Sequence, residues 1–201
     1  MGKIGLLGGT FDPIHYAHLF MGQLCKESLG LDKVIYIPAG IVSHKNSVYT
    51  DAKMRYEMVK LAIEGNSCFE VSDYEITKST PSYSDETVAY FKNMYPNDEI
   101  VFIFGEDSLD YVETWHNAAE LLSMCTFAVV GRGGFELDIE SKIDFLKEKF
   151  GAKIEYIKSP EFDVSSRVIR DMISNGKSVK RLVSDNVLNF IEKNNLYRNI
   201  K

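Results

Sequence analysis

Tryptophan occurs once in these 201 residues, cysteine three times, histidine four times and proline five times. Each scarcity excludes something. Cys25, Cys68 and Cys125 are odd in number, widely spaced and set in apolar patterns, which excludes a disulfide framework and points to reduced core thiols. No cysteine cluster stands beside the histidines to complete a tetrahedral zinc set. No apolar run approaches the roughly 20 residues that cross a bilayer. Residues 1–20 lack a basic start followed by a sustained apolar stretch, so no secretory signal, no membrane association and a soluble, cytoplasmic protein are expected. Lys and Arg total 23 against 29 Asp and Glu, a formal charge of −6, so no nucleic-acid partner is expected. Internal repeats and low-complexity tracts are missing too, and the sequence leaves self-association into a homo-oligomer open.

The chain does have enough apolar residues, 45% of the total, to bury one domain-sized core. Apolar runs at Ile4–Leu7, Lys33–Ile37, Cys68–Val71, Ile100–Phe104, Thr126–Val130 and Lys153–Tyr156 read as strands. Helical patterns at Tyr16–Leu29, Asp51–Glu64, Asp85–Met94, Ala118–Ser123 and Glu140–Phe150 separate them. The unpunctuated run Val101-Phe102-Ile103-Phe104 expects burial on both faces, as in a parallel sheet. Strict alternation predicts an α/β fold with a doubly wound parallel sheet. After Pro160 only helices are expected, at Ser166–Ser174 and Asp185–Asn194. The division is therefore a core over 1–160 and a small helical C-terminal lobe over 161–201, within a single domain.

The first strand runs into Gly8-Gly9-Thr10-Phe11-Asp12-Pro13-Ile14-His15-Tyr16-Ala17-His18. Adjacent glycines let the backbone approach a ligand closely. His15 and His18, three apart, share one face of the first turn of the following helix. The helix dipole and free N–H groups at that end favour an anion, so the combination suits a polyphosphate. Two other readings fit less well. An H-x-x-H metal pair lacks further ligands, and glycines at 5, 8 and 9 do not match the G-x-G-x-x-G of a dinucleotide turn.

A second helix start lies at Val164-Ser165-Ser166-Arg167-Val168-Ile169-Arg170, with capping hydroxyls and two arginines one turn apart, expected on a common face. Strand-end loops carry His44 and Lys45, Gly105-Glu106-Asp107-Ser108 and Gly131-Arg132-Gly133-Gly134. Loops beyond the carboxyl ends of parallel strands are where such sheets place their sites. The GG-x-FDP-x-H-x-x-H segment, with alanine rather than the usual glycine at 17, resembles the nucleotidyltransferases of the HIGH superfamily, a Rossmann-like group. The Ser-Ser-Arg-x-x-Arg segment is similar to their ISSTxIR element. The resemblance implies catalytic roles for His15, His18 and Arg170. It implies ATP binding by Gly8, Gly9, Thr10, Phe11, Lys45, Gly105, Asp107, Arg132, Ser165 and Ser166, with Mg²⁺ arriving on ATP. Arg167 stands where the family has a small hydroxyl residue.

Two more segments concern the second substrate. Thr80-Pro81-Ser82-Tyr83-Ser84-Asp85-Glu86-Thr87 opens a helix, with Ser84 or Asp85 expected as N-cap and free amides there to receive a carboxylate. Thr114-Trp115-His116 holds the single tryptophan, suited either to stacking on a flat cationic ring or to partial burial as a packing residue. Together they resemble bacterial nicotinate-nucleotide adenylyltransferases. That resemblance implies adenylyl transfer from ATP to nicotinate mononucleotide, giving deamido-NAD and pyrophosphate, with the mononucleotide held by Tyr83, Ser84, Thr87 and Trp115. Pantetheine-phosphate adenylyltransferases and glycerol-phosphate cytidylyltransferases share the first signature but are shorter. A nucleotide-binding regulatory protein without catalysis is the reading from another class.

Overall fold

The computed structural model describes residues 2–41, 48–131, 138–160 and 164–198. Six strands, β1 (Lys3–Gly9), β2 (Lys33–Pro38), β3 (Phe69–Val71), β4 (Glu99–Gly105), β5 (Thr126–Val130) and β6 (Lys153–Ile157), form one sheet in the order β3-β2-β1-β4-β5-β6. Every neighbouring pair is parallel. Parallel neighbours need crossovers, and α1 (Tyr16–Leu29), α2 (Ala52–Ile63), α3 (Ser84–Met94), α4 (Glu106–Leu109), α5 (Ala118–Met124) and α6 (Ile139–Phe150) lie in them. Two helices, α7 (Ser166–Ser174) and α8 (Asp185–Lys193), follow the last strand. This is the α/β Rossmann-like architecture, with strand order reversing between β1 and β4.

Alternation along each strand feeds two cores. Leu7, Val34, Tyr36, Val101, Ile103, Ala128 and Val130 face one side, packed with α1, α2, α7 and α8 residues. Ile4, Leu6, Ile35, Phe102, Phe127 and Val129 face the other, packed with α3, α5 and α6. Strands buried on both faces read as continuous apolar runs, which explains why β4 and β5 show no polar interruption. Ile169, Val183, Val187, Ile191 and Tyr197 belong to the first core, so the C-terminal helices share it instead of owning a separate one. A Cβ on Gly22 would collide with the Tyr36 hydroxyl, and that missing side chain lets α1 lie close over β2. The helix ends at Gly30, whose φ of 64° is the left-handed C-cap that glycine adopts without steric cost.

The expected and observed elements differ mainly at ends. β1 continues through Gly8 and Gly9, which pair with Ile37 and Pro38 of β2, instead of stopping at Leu7. The turn of helix α4 and a 3-10 turn at Val112–Thr114 were not expected, because segments of three or four residues show no period.

Candidate active site

The loop after β1 leaves the sheet at the point where strand order reverses. Phe11 takes the left-handed conformation at φ 51°, an unfavourable choice for an aromatic residue, and its ring folds back over Gly9. A Cβ at Gly9 would stand 2.8 Å from Phe11 Cε1, so glycine is required there for contact and not only for ligand approach. Asp12 joins Pro13 through a cis peptide bond. The buried His15 is the N-cap of α1. The His15 and His18 rings stack at 3.7 Å and 28°, and Phe11 meets His18 edge-on at 5.0 Å. The His15 backbone N–H donates to His18 Nδ1 at 3.3 Å, which assigns the neutral-ring proton of His18 to Nε2. Two imidazoles are thereby held rigidly side by side.

The free amides expected at this helix start are largely engaged. The His15 N–H meets His18, the Tyr16 N–H donates to the Leu182 carbonyl at 3.0 Å, and the His18 N–H donates back to His15 at 2.9 Å. The anion-binding capacity of this turn therefore rests more on imidazole than on backbone.

The second phosphate element docks on the same loop. Ser165 caps α7 by accepting from the Val168 N–H at 3.3 Å, and Ser166 Oγ donates to the Pro13 carbonyl at 2.8 Å. Arg170 donates to the Asp12 carbonyl at 2.7 Å and lies 4.8 Å over the Tyr49 ring. Arg167 does not share this setting. Its side chain is 85% exposed and approaches Asp171 only at 4.0 Å. The three-residue spacing puts the two arginines on neighbouring positions of α7, but only Arg170 is docked on the Asp12 loop, while Arg167 stands out in solvent.

Beneath the loop sits a buried charge cluster. Asp12 accepts from the Tyr49 N–H at 2.8 Å and from the Tyr197 hydroxyl at 2.7 Å. Burial, then the Asp12 charge, drives the Tyr197 phenol far above its ordinary value, so it remains a donor. Arg55, 1% exposed, donates to the carbonyls of Thr10 at 2.7 Å, Thr50 at 3.1 Å and Gly40 at 3.1 Å. Burial lowers its pKa and the Asp12 charge opposes that shift. One guanidinium thus ties the ends of β1 and β2 to the entry of α2.

A cavity of about 630 Å³ lies on the other side of the sheet, lined by Ser82, Tyr83, Ser84, Tyr111, Trp115 and His116 among others. Trp115 packs on Phe104 at 5.6 Å and Phe102 at 6.3 Å and still borders the cavity, so packing and ligand contact are compatible. Tyr83, not Ser84 or Asp85, occupies the N-cap of α3, and no side chain caps that end. Thr87 is buried, with its hydroxyl donating to Glu75 at 2.7 Å, and does not line the cavity. Asp85 turns inward to His116 and Asn117. Burial disfavours its charge, but the hydrogen bonds from Asn117 at 2.9 Å and His116 at 3.1 Å outweigh this and hold its carboxyl below the ordinary range. Gly105 ends β4 as the N-cap of α4, and Asp107 is a residue of that helix, not its cap. His44, Lys45 and Arg132 lie outside the described residues.

A cytidylyltransferase-like family model matches residues 6–172. A Clostridium botulinum (strain Eklund 17B / Type B) protein named "Probable nicotinate-nucleotide adenylyltransferase" is 42% identical over 201 residues, covering 98% of this chain and 99% of the relative. A Clostridium beijerinckii protein of the same name is also 42% identical, covering 98% and 100%. The chain belongs to the cytidylyltransferase-like family, among its nicotinate-nucleotide adenylyltransferases. A Plasmodium falciparum nicotinic acid mononucleotide adenylyltransferase shares the fold. Solved with NaAD, it superposes with a TM-score of 0.83 at 23% identity, and with APC at 0.80 and 22%, each covering 98% of both chains.

Asp12 stands in the first signature without a role of its own, and no site role is read from the sequence for Tyr49, Arg55 or Tyr197. Arg55 did carry a signal: it falls on the same stripe of α2 as the buried Met58 and Val59, where an unpaired cation would be costly. Tyr197 carried none, since its partner is 185 residues away.

Proposed function

We propose that the protein transfers the adenylyl group of ATP to nicotinate mononucleotide, releasing pyrophosphate and forming deamido-NAD. The observation that carries this reading is the rigid His15–His18 pair at the switch point, with Arg170 anchored to the same loop. A mononucleotide phosphate oxygen attacks the α-phosphorus as the bond to the β-phosphate oxygen breaks, so the configuration inverts and no enzyme nucleophile takes part. The protein's contribution is positioning and charge stabilisation. His18 Nε2 and His15 neutralise the transferring group. Arg170 and Lys45, with Ser165 and Ser166, hold the departing phosphates. Gly8, Gly9, Thr10 and Phe11 shape the approach, while Gly105, Asp107 and Arg132 flank the adenosine. Ser165 keeps its hydroxyl proton free to donate to phosphate while it caps α7, whereas Ser166 must release the Pro13 carbonyl to donate.

Trp115 stacks on the pyridine ring, with Tyr83 and Ser84 beside it. Thr87 acts through its bond to Glu75, steadying α3. Among the described residues no cluster of three or more His, Cys, Asp or Glu side chains is gathered for a metal, and the Asp12 carboxylate is engaged by Tyr49 and Tyr197. Mg²⁺ would arrive with the ATP substrate and ease charge build-up on its phosphates. A cytoplasmic setting suits the free thiols of Cys25, Cys68 and Cys125. No helix of the described residues is long and apolar enough to cross a membrane. The test is product identification by mass spectrometry after mixing protein, ATP, Mg²⁺ and nicotinate mononucleotide, with phosphopantetheine as the control acceptor. Deamido-NAD is the expected product. An adenylylated phosphopantetheine, or a radiolabelled adenylyl-enzyme trapped without acceptor, would overturn the reading.

A further inference from the structure

We infer that His116, held by Asp85, is the specificity-determining residue that selects an anionic pyridine substituent over a neutral one. This rests on the proposed transfer to nicotinate mononucleotide. A nicotinate ring carries a carboxylate where nicotinamide carries an amide, so discrimination needs positive potential at the ring end of the cavity. The start of α3 is poorly suited to supply it. Its first turn already holds two carboxylates, Asp85 and Glu86, which offset the dipole there. Lys78 is occupied, 2.7 Å from Glu86 and 4.5 Å over the Tyr74 ring. Among the described residues that line the cavity, His116 alone can carry a positive charge.

The geometry holds that imidazole in one pose. Its Nδ1 sits 3.1 Å from both Asp85 oxygens, so Nδ1 carries a proton and Nε2 occupies the opposite edge. Tyr83 stacks on one ring face at 4.1 Å and 18°. Asn117, at φ 46°, directs its amide to the same carboxylate at 2.9 Å and so completes the support from the other side. Asp85 is buried while the His116 side chain is 43% exposed, which places the carboxylate behind the imidazole. A protonated ring in this pose donates Nε2–H to an incoming carboxylate while Nδ1–H stays with Asp85, so the ring stands between the two carboxylates. Beside it, the Oγ of Ser82 is shielded from solvent and has no hydrogen-bond partner among the described residues, an orphan hydroxyl on the wall of the same cavity.

The test compares kcat/KM for nicotinate and nicotinamide mononucleotides in wild type, His116→Gln and His116→Lys. His116 is a surface side chain, so both variants should fold, and thermal melts check this. A charge-assisted contact predicts that His116→Gln lowers the preference for nicotinate on the order of tenfold. The loss should sit in the KM for nicotinate mononucleotide, with kcat and the KM for ATP unchanged. His116→Lys, which keeps the charge, should recover most of the preference. An unchanged ratio in His116→Gln, an equal loss on both mononucleotides, or no recovery with lysine would overturn the inference while leaving the adenylyltransfer reading intact. Failure of wild type to use either mononucleotide would instead overturn that reading.

Discussion

Arg170 and Arg167 sit one turn apart on α7 and should behave differently. Arg170 is fastened to the Asp12 carbonyl and lies over Tyr49, so its remaining donors are presented from a fixed position. Arg170→Ala should raise the KM for ATP by on the order of tenfold or more, since bonds to phosphate are charge-assisted. Arg167 is solvated, its ion pair with Asp171 is stretched, and exposed pairs of that kind contribute little. Arg167→Ala should leave the KM for ATP within about twofold and stability within about 0.5 kcal/mol. Steady-state kinetics on the two variants, with melting curves to verify folding, decides between them. The family resemblance singles out Arg170 over Arg167 in the sequence, and the neighbours of each give the physical reason for the distinction.

At the scale of elements, the decisive contact is between the chain's end and its first loop. Tyr197 follows α8 and reaches Asp12 just after β1. Tyr197→Phe keeps the ring in the first core and deletes the hydroxyl, leaving one oxygen of a buried carboxylate without its donor. The cost should be about 1–3 kcal/mol, read from urea unfolding. The rate should fall with it, because the same carboxylate also holds the backbone of Tyr49, under Arg170. Elements with a full period, such as α1 over Tyr16–Leu29, β5 over Thr126–Val130 and α7 over Ser166–Ser174, were legible to the residue because caps and apolar runs are local information. So was the convergence of candidates on strand ends. The Asp12–Tyr197 bond, the Arg55 clasp and the Asp85–His116 pair were not, since each joins residues distant in the chain and depends on the completed fold. The N-cap of α3 was misplaced because Ser84 and Asp85 are both good capping residues, whereas the observed cap uses backbone geometry alone.

Across the whole molecule, Glu75 and Asp85 pull stability in opposite directions with pH. Glu75 accepts from the Thr87 hydroxyl, and burial raises its pKa more than that hydrogen bond and the Lys78 charge lower it. A carboxyl raised in the folded state supports folding below its unfolded value, near 4.3, and that support is lost as pH climbs through the folded value. Asp85 runs the other way: its depressed folded value gives support above the unfolded one, near 3.9, that is lost as pH falls through the folded value. Glu75→Gln keeps an acceptor for Thr87 and removes the buried charge. It should stabilise the protein at pH 7 and have little effect below pH 4, on the order of the unfolded carboxyl value. Urea titrations at the two pH values check the sign, and a variant less stable than wild type at pH 7 would refute it.

The central claim is that the stacked imidazoles carry adenylyl transfer, and pyrophosphate release tests it most directly. Wild type and folded His18→Ala are compared with ATP, Mg²⁺ and nicotinate mononucleotide. Loss of one preorganised donor to a developing charge predicts acceptor-dependent release by wild type and a fall of about 10²–10³-fold in the variant. Absence of acceptor-dependent release in wild type, or equal release by the folded His18→Ala protein, would contradict the account.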